Sequence, residues 1–206
     1  EEVGVRMNFL GDRLSVEASA FDITNTNVVQ GDPFGNVGVF PPDPRNDWKF
    51  VDGISNRGFE VDVKVNLSGA TQVLFSYANY DLKNAGNPAQ VAAGIKEYPV
   101  NNSPQHQASL WLKWSPQHEA LRGWRLTGGA RYMGERSAGG IGALPSLYLP
   151  AYTIVDAGVG YAREKWAVDL LVRNVFDEYA IRTASTNNRI YPEQPLHAML
   201  AASVSF

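Results

Sequence analysis

Side chains able to carry acid–base, nucleophilic or metal chemistry are few and scattered in this sequence. The three histidines, His106, His118 and His197, stand far apart, and neither a His-Glu-x-x-His nor a Gly-x-Ser-x-Gly motif is present. Cysteine is absent, which removes disulfide and thiol chemistry. Asp32, Asp43 and Asp47 lack the ordered spacing of a calcium loop, so no metal site and no cofactor are expected. The expectation is a chain that is not an enzyme. What its irregular stretches do supply is rings and cations: Trp48 and Lys49, Tyr98, Tyr148, Arg182, Arg189 and Tyr191. Such groups can stack on other ring systems and donate charge-assisted hydrogen bonds.

Within several runs, charges fall on every second residue. In the run from Glu60 to Leu67, Val61, Val63, Val65 and Leu67 alternate with Glu60, Asp62, Lys64 and Asn66. A period of two places all the first set on one face of a strand and all the second on the other. The same pattern recurs at Ala108, Leu110, Leu112 and Trp114, where Trp111 on the opposite parity is an exception. It recurs again from Trp124 to Tyr132 against Arg125 and Arg131, from Thr153 to Tyr161 against Asp156, and from Trp166 to Val172 against Asp169 and Arg173. It is less clean over residues 3–9, 14–29 and 71–79, and it returns in Ala198, Leu200, Ala202, Val204 and Phe206. The expected total is about nine strands, with Glu60, Asp62, Lys64, Arg125, Arg131, Asp156, Asp169 and Arg173 lining one common polar face.

The connections alternate in length. Short ones fall near residues 10–12, 68–69, 115–123 and 163–165, and long ones near 30–50, 86–103, 138–150 and 180–194. That is an antiparallel meander with a short-turn rim and a long-loop rim. Runs at 14–29, 51–67 and 71–83 exceed the roughly 9 to 11 residues a tilted strand needs to cross a bilayer. Trp114, Trp124, Tyr161 and Trp166 flank short turns, where an interfacial aromatic girdle belongs, and the terminal Phe206 continues the apolar parity. The turn-rich stretch 31–36 and 41–44 could act as a hinge. The expected fold class is therefore all-β, a membrane-spanning antiparallel up-and-down barrel. Nine is odd, whereas bacterial single-chain barrels close on an even number, so this piece should not close alone and earlier strands should precede it.

Bulk properties agree. Lysine and arginine number 18 against 21 acidic residues, giving a net charge of −3 and a pI near 5.6, which offers no electrostatic basis for binding nucleic acid. Mean hydropathy is −0.24 and no run of 18 apolar residues exists, which excludes a spanning helix but not spanning strands. The chain starts at Glu1 without an initiator Met, so it is expected to be processed or a fragment.

Three motifs carry a family resemblance. Arg173-Asn174-Val175-Phe176-Asp177-Glu178-Tyr179 resembles the N-L-F-D-x-x-Y signature near the end of TonB-dependent outer-membrane receptors, with Val175 in place of Leu. The run from Leu149 to Asp156, L-P-A-Y-T-I-V-D, is similar to their L-P-s-Y-t-v-v-D segment, and Gly129-Ala130-Arg131-Tyr132-Met133-Gly134 to their G-x-R-Y-x-G. Gly58-Phe59-Glu60-Val61-Asp62 also resembles a family strand. The resemblance implies a Gram-negative outer-membrane barrel of about 22 strands with a plug in its lumen. Residues 1–206 would be its C-terminal part, with the plug, the earlier strands and the TonB-contacting segment outside it. It further implies uptake of a ferric siderophore, of hydroxamate or pyoverdine-like type, with the TonB complex, the plug and outer-membrane lipid as partners. On that implication Trp48, Tyr98, Tyr148, Arg182, Arg189 and Tyr191 are the candidate ligand contacts in the outer loops. Uptake of haem, cobalamin or an oligosaccharide, a passive porin-type channel and a soluble lipocalin-like barrel are the alternatives. The Asn174–Tyr179 run is expected to be structural.

Overall fold

The computed structural model describes residues 1–31, 43, 48–51, 53–138, 147–186 and 189–205. In chain order the elements are β1 (Glu2–Phe9), β2 (Leu14–Thr24), β3 (Val28–Gly31), β4 (Trp48–Val51), β5 (Ile54–Asn66), β6 (Thr71–Ala85), α1 (Pro88–Ala92), β7 (Glu97–Pro99), β8 (His106–Trp114) and β9 (Trp124–Met133). They continue with β10 (Arg136–Ala138), β11 (Leu147–Leu149), β12 (Tyr152–Arg163), β13 (Trp166–Arg173), β14 (Ile181–Thr186), β15 (Arg189–Pro192) and β16 (His197–Val204). Nine long strands form one antiparallel sheet in the order β1-β2-β5-β6-β8-β9-β12-β13-β16, with β7 added to β6. Each path strand is hydrogen-bonded to its neighbour in sequence among the nine, so the meander and its strand number are those expected. Among the described residues, β1 and β16 are each paired on one side only.

Register turns the alternation of each strand into continuous rows. Met7, Val16, Val63, Phe75, Leu110, Ala130 and Val155 lie side by side across seven strands. The neighbouring row, Arg6, Glu17, Asp62, Ser76, Ser109 and Arg131, is polar throughout and belongs to the other face. One face thus carries the apolar parity, and its large side chains stay exposed in this chain, Leu110 at 49% and Leu200 at 71%. In water that would be untenable, whereas against lipid it is the stable arrangement. Aromatic groups mark the edges of this face. Trp124, Tyr161 and Trp166 lie in file at the short-turn end, their rings tilted against one another with centroids 5.0 and 5.5 Å apart. At the long-loop end Phe59, Tyr77 and His106 form a second file, and Tyr77 shares a 2.8 Å hydrogen bond with His106 Nδ1. Between the two files β8 has nine residues. At ~3.4 Å each and a tilt of ~40° they rise roughly 20–25 Å, the height of a barrel's apolar band.

The polar face is knitted by pairs that cross strands. Arg6 pairs with Glu17, and Arg131 Nε lies 3.9 Å from Asp156. Arg125 donates to both oxygens of Asp169 at 2.7 and 2.9 Å, although β12 lies between their strands. The residue of β12 opposite both is Gly160, where a Cβ would sit 2.1 Å from the Asp169 oxygen. Trp111, the exception to the parity of β8, lies on this same face. Its ring covers Gly129, whose missing Cβ would meet two ring atoms at 2.5 Å.

Three boundaries differ from the sequence reading. The run 14–29 breaks after Thr24: Asn25 still bonds Ile54 and Gly53 through its backbone, but Asn27 adopts φ 59°, and Val28 begins a separate short strand. The run 51–67 divides around Gly53 into β4 and β5. The long connections, read as irregular, contain the hairpins β3–β4, β10–β11 and β14–β15 and the short helix α1. Asp32, Asp47, most of the 31–44 hinge, the terminal Phe206 and the side chains of Trp48 and Lys49 lie outside the described residues.

Candidate functional site

The long-loop rim is the place where aromatic and cationic side chains gather on ordered backbone. The hairpins β10–β11 and β14–β15 pack on each other through Ala138, Leu149 and Ala184, all fully buried, with Leu147 and Ile181 against them. On these two hairpins stand four of the six sequence-predicted contacts. Tyr148 on β11 is 67% exposed, Tyr191 on β15 is 46% exposed, and Arg182 on β14 and Arg189 on β15 are also exposed. Tyr98 lies apart on β7 opposite Asn84 and is half-buried. Trp48 opens β4 opposite Gly31. The structure therefore brings Tyr148, Arg182, Arg189 and Tyr191 onto one packed pair of hairpins and does not bring Tyr98 to it.

Polar residues that sequence reasoning passed over hold this rim together. Arg136, 4% exposed, donates through Nη2 to the carbonyls of Ile181 and Arg182 at 2.6 and 2.8 Å and through Nη1 to that of Gly134 at 3.2 Å. Its guanidinium lies over the Tyr152 ring, 5.4 Å from the centroid, and Tyr152 Oη donates to Glu193 Oε1 at 2.8 Å. Burial lowers the pKa of Arg136 from the ordinary arginine value, and Tyr152 and Glu193 act against that shift. An arginine so buried stays charged, which is why it must spend its donors on carbonyls. Asn102, at φ 62°, receives a hydrogen bond from Ala184 N and returns one to Ala184 O, both at 2.9 Å, while its own N–H bonds Ser137 O at 2.7 Å. Nothing local in the sequence signals these partners, which lie 45 and 82 residues away. Tyr152 alone sat inside a recognised motif.

Asn174, only 2% exposed and at φ 50°, turns the chain at the top of β13. Its amide donates to the carbonyls of Glu178 and Gln194 at 3.0 Å each, its Oδ1 accepts from Glu178 N at 2.8 Å, and its own N–H bonds Asp156 Oδ1 at 2.9 Å. Asp177 accepts from Leu196 N at 2.8 Å. These bonds tie the end of β13 to the start of β16, so the motif is a strand-exit device in which the Asn174 amide is occupied on both sides. The histidines are likewise engaged: His106 by Tyr77, His118 by Ala120 N at the head of a single 3-10 turn, and His197 by Pro195 O.

Below the rim, on the polar face, Glu60, Asp62, Tyr80, Arg131 and Tyr152 line an open depression of about 320 Å³. It carries carboxylates, an arginine and phenols but, among the described residues, no cluster of side chains suited to hold a metal ion.

The pattern of the family described as "TonB dependent receptor-like, beta-barrel" matches residues 2–175. The chain is 27% identical over its whole length to the catecholate siderophore receptor Fiu of Escherichia coli (strain K12), of which it covers 25%. It is 34% identical over 200 residues, 90% of its length, to the ferrichrome outer membrane transporter/phage receptor of the same organism, of which it covers 23%. Among solved structures, the ferripyoverdine receptor of the outer membrane of Pseudomonas aeruginosa superposes on all of this chain with a TM-score of 0.76 at 21% identity, over 26% of that receptor. The chain thus spans about a quarter of the length of the relatives it matches. With the sheet, its lipid-type face and these matches together, the chain belongs to the TonB-dependent receptor β-barrel family of Gram-negative outer membranes.

Proposed function

We propose that this chain is the C-terminal part of the barrel of a receptor that binds a ferric siderophore outside the cell and imports it with energy delivered by TonB. The observation that carries the reading is the pair of packed outer hairpins presenting Tyr148, Arg182, Arg189 and Tyr191 together. A ferric siderophore is bulky, partly apolar and often anionic, and such a set can hold it without bonding the iron. The relatives support the class: one is named for a catecholate siderophore and another for ferrichrome. The notion of a hydroxamate or pyoverdine-like ligand is the narrower form of the proposal. In this reading the plug, the preceding strands and the TonB-contacting segment belong to the rest of the protein, and the chain makes and breaks no covalent bonds.

The test is tryptophan-fluorescence quenching of the purified full-length receptor by ferrichrome, ferrioxamine B, ferripyoverdine and a ferric catecholate, with haem and cobalamin as controls. Tight, saturable quenching by one ferric siderophore supports the proposal and names its ligand. Quenching by haem or cobalamin alone, or by none, overturns the ligand assignment. Where one siderophore binds, replacing Arg182 and Arg189 together by Ala should weaken it by about tenfold or more, since hydrogen bonds to charged groups contribute ~1.5–3 kcal/mol each.

A further inference from the structure

We propose that Arg136 and Asn102 are positioning residues that fasten three outer connections into one body, so that Tyr148, Arg182, Arg189 and Tyr191 keep a fixed mutual geometry. The inference rests on the proposed function only for what those four residues hold; the fastening itself stands on the geometry of the rim.

The three connections are far apart in sequence, and each could move by itself if it were tied only to its own strands. Two side chains prevent that. Arg136 lies on β10 yet donates to two successive carbonyls of β14, including that of Arg182, whose own guanidinium points to solvent. A planar fork bonded to two adjacent peptide groups fixes both their position and their direction. Asn102 belongs to the connection after β7, and it holds the middle of β14, exchanging two hydrogen bonds with Ala184 while its backbone bonds Ser137 of β10. The two clamps grip β14 at different points, Arg136 at Ile181 and Arg182 and Asn102 at Ala184, itself a member of the buried Ala138–Leu149–Ala184 contact. Tyr152 and Glu193 close the ring, joining β12 beneath to the segment after β15.

Moving the β14–β15 hairpin away alone would strip the Arg136 guanidinium of the Ile181 and Arg182 carbonyls, leaving it that of Gly134, and would break both Asn102–Ala184 bonds, so opening one connection alone is disfavoured. Concerted displacement of all three keeps the bonds among them and has to break only the tie from Glu193 to Tyr152 on β12. The strand β14 is weak by itself, because its pairing with β15 is interrupted by two register shifts. It therefore depends on these outside clamps for its shape. The candidate contacts would then act as a preformed set, which lowers the ordering cost of binding.

The experiment uses the full-length receptor with nitroxide labels at Tyr148→Cys and Arg189→Cys, one on each hairpin, and measures their distance distribution by double electron–electron resonance. This region holds no native cysteine. A single narrow distribution is expected with Arg136 and Asn102 intact. Arg136→Met and Asn102→Ala should each widen it at least about twofold. Arg136→Lys should fall between, since lysine keeps the charge but lacks the fork. Heat-modifiable migration on gels establishes that each variant still holds a folded barrel. Equal widths in the parent and in both Arg136→Met and Asn102→Ala overturn the proposal, as does a broad distribution in the parent. Failure of every siderophore to bind would remove the ligand reading and leave these distances as they are.

Discussion

Trp111 and Gly129 show how a single residue resolves an apparent fault in a pattern. By parity Trp111 belongs with the polar side chains of β8, and its size suits neither face until its neighbour is considered. Gly129, directly opposite on β9, leaves room for the indole to lie flat against the sheet. Replacing Gly129 by Ala would put a methyl group 2.5 Å from the ring and 2.6 Å from the Leu110 carbonyl oxygen. Overpacking of that kind costs ~1–3 kcal/mol. The urea midpoint of the full-length receptor in detergent should fall accordingly, and Trp111→Ala should restore part of it, because the clash with the Leu110 carbonyl remains. An unchanged midpoint in Gly129→Ala would mean that the ring does not lie where described. The sequence flagged Trp111 as irregular but could not supply the reason, since the explanation sits on the next strand. Arg125 and Asp169 repeat the lesson: both were legible as members of a polar face, but their union over Gly160 depends on register, which no single strand encodes.

At the scale of elements, legibility followed burial pattern. Strand β5 could be read residue by residue, because one of its faces meets lipid and the other does not, and a shift of one residue would invert every side chain. That argument predicts a sharp asymmetry between adjacent positions. Val63→Lys places a charge on the apolar row and should cost roughly 2–4 kcal/mol at mid-membrane, whereas Asp62→Lys should cost far less. Reversible unfolding of the full-length receptor from bilayers would measure both, and equal costs would refute the facing. The hairpins β10–β11 and β14–β15 were illegible by the same logic. Strands of three to six residues, those of β14–β15 with shifted register, show no period, and their order comes from Arg136 and Asn102 instead. Asn174 lies between these cases. Its place in a recognised motif suggested a structural role, and its four hydrogen bonds show what that role is. Asn174→Ala keeps the chain but leaves the Glu178 and Gln194 carbonyls and the Glu178 N–H without this partner, at ~1–3 kcal/mol for each group that stays buried. Loss of stability no greater than at an exposed control asparagine would show that the turn holds without it.

At the scale of the whole sheet, the decisive feature is that its two outermost strands, β1 and β16, each lack a partner on one side among the described residues. β1 presents Val3 at 72% exposure and β16 presents Leu200 at 71%, and both carry unpaired backbone along an entire edge. An exposed, long and apolar edge pairs with whatever strand reaches it. In a bilayer the penalty is larger, because backbone groups facing hydrocarbon find no water. The count of nine strands and the alternation of rims could be read from the sequence, since each strand and turn carries its own local signal. That an odd count should not close alone was legible as well; which strands β1 and β16 would pair with was not, because that is a relation between edges. The prediction is therefore that residues 1–206 alone, refolded into detergent, give oligomers or aggregates and no heat-modifiable monomer, while the full-length receptor treated identically gives one. A discrete, heat-modifiable monomer from residues 1–206 would mean that β1 and β16 find each other, and the larger barrel would then have to be abandoned. Aggregation that persists when the remaining part of the receptor is supplied as a separate chain would show that proximity within one polypeptide is also required. Recovery of a monomeric complex under those conditions would show that the two edges, by register and side-chain pattern, are sufficient to specify their partners.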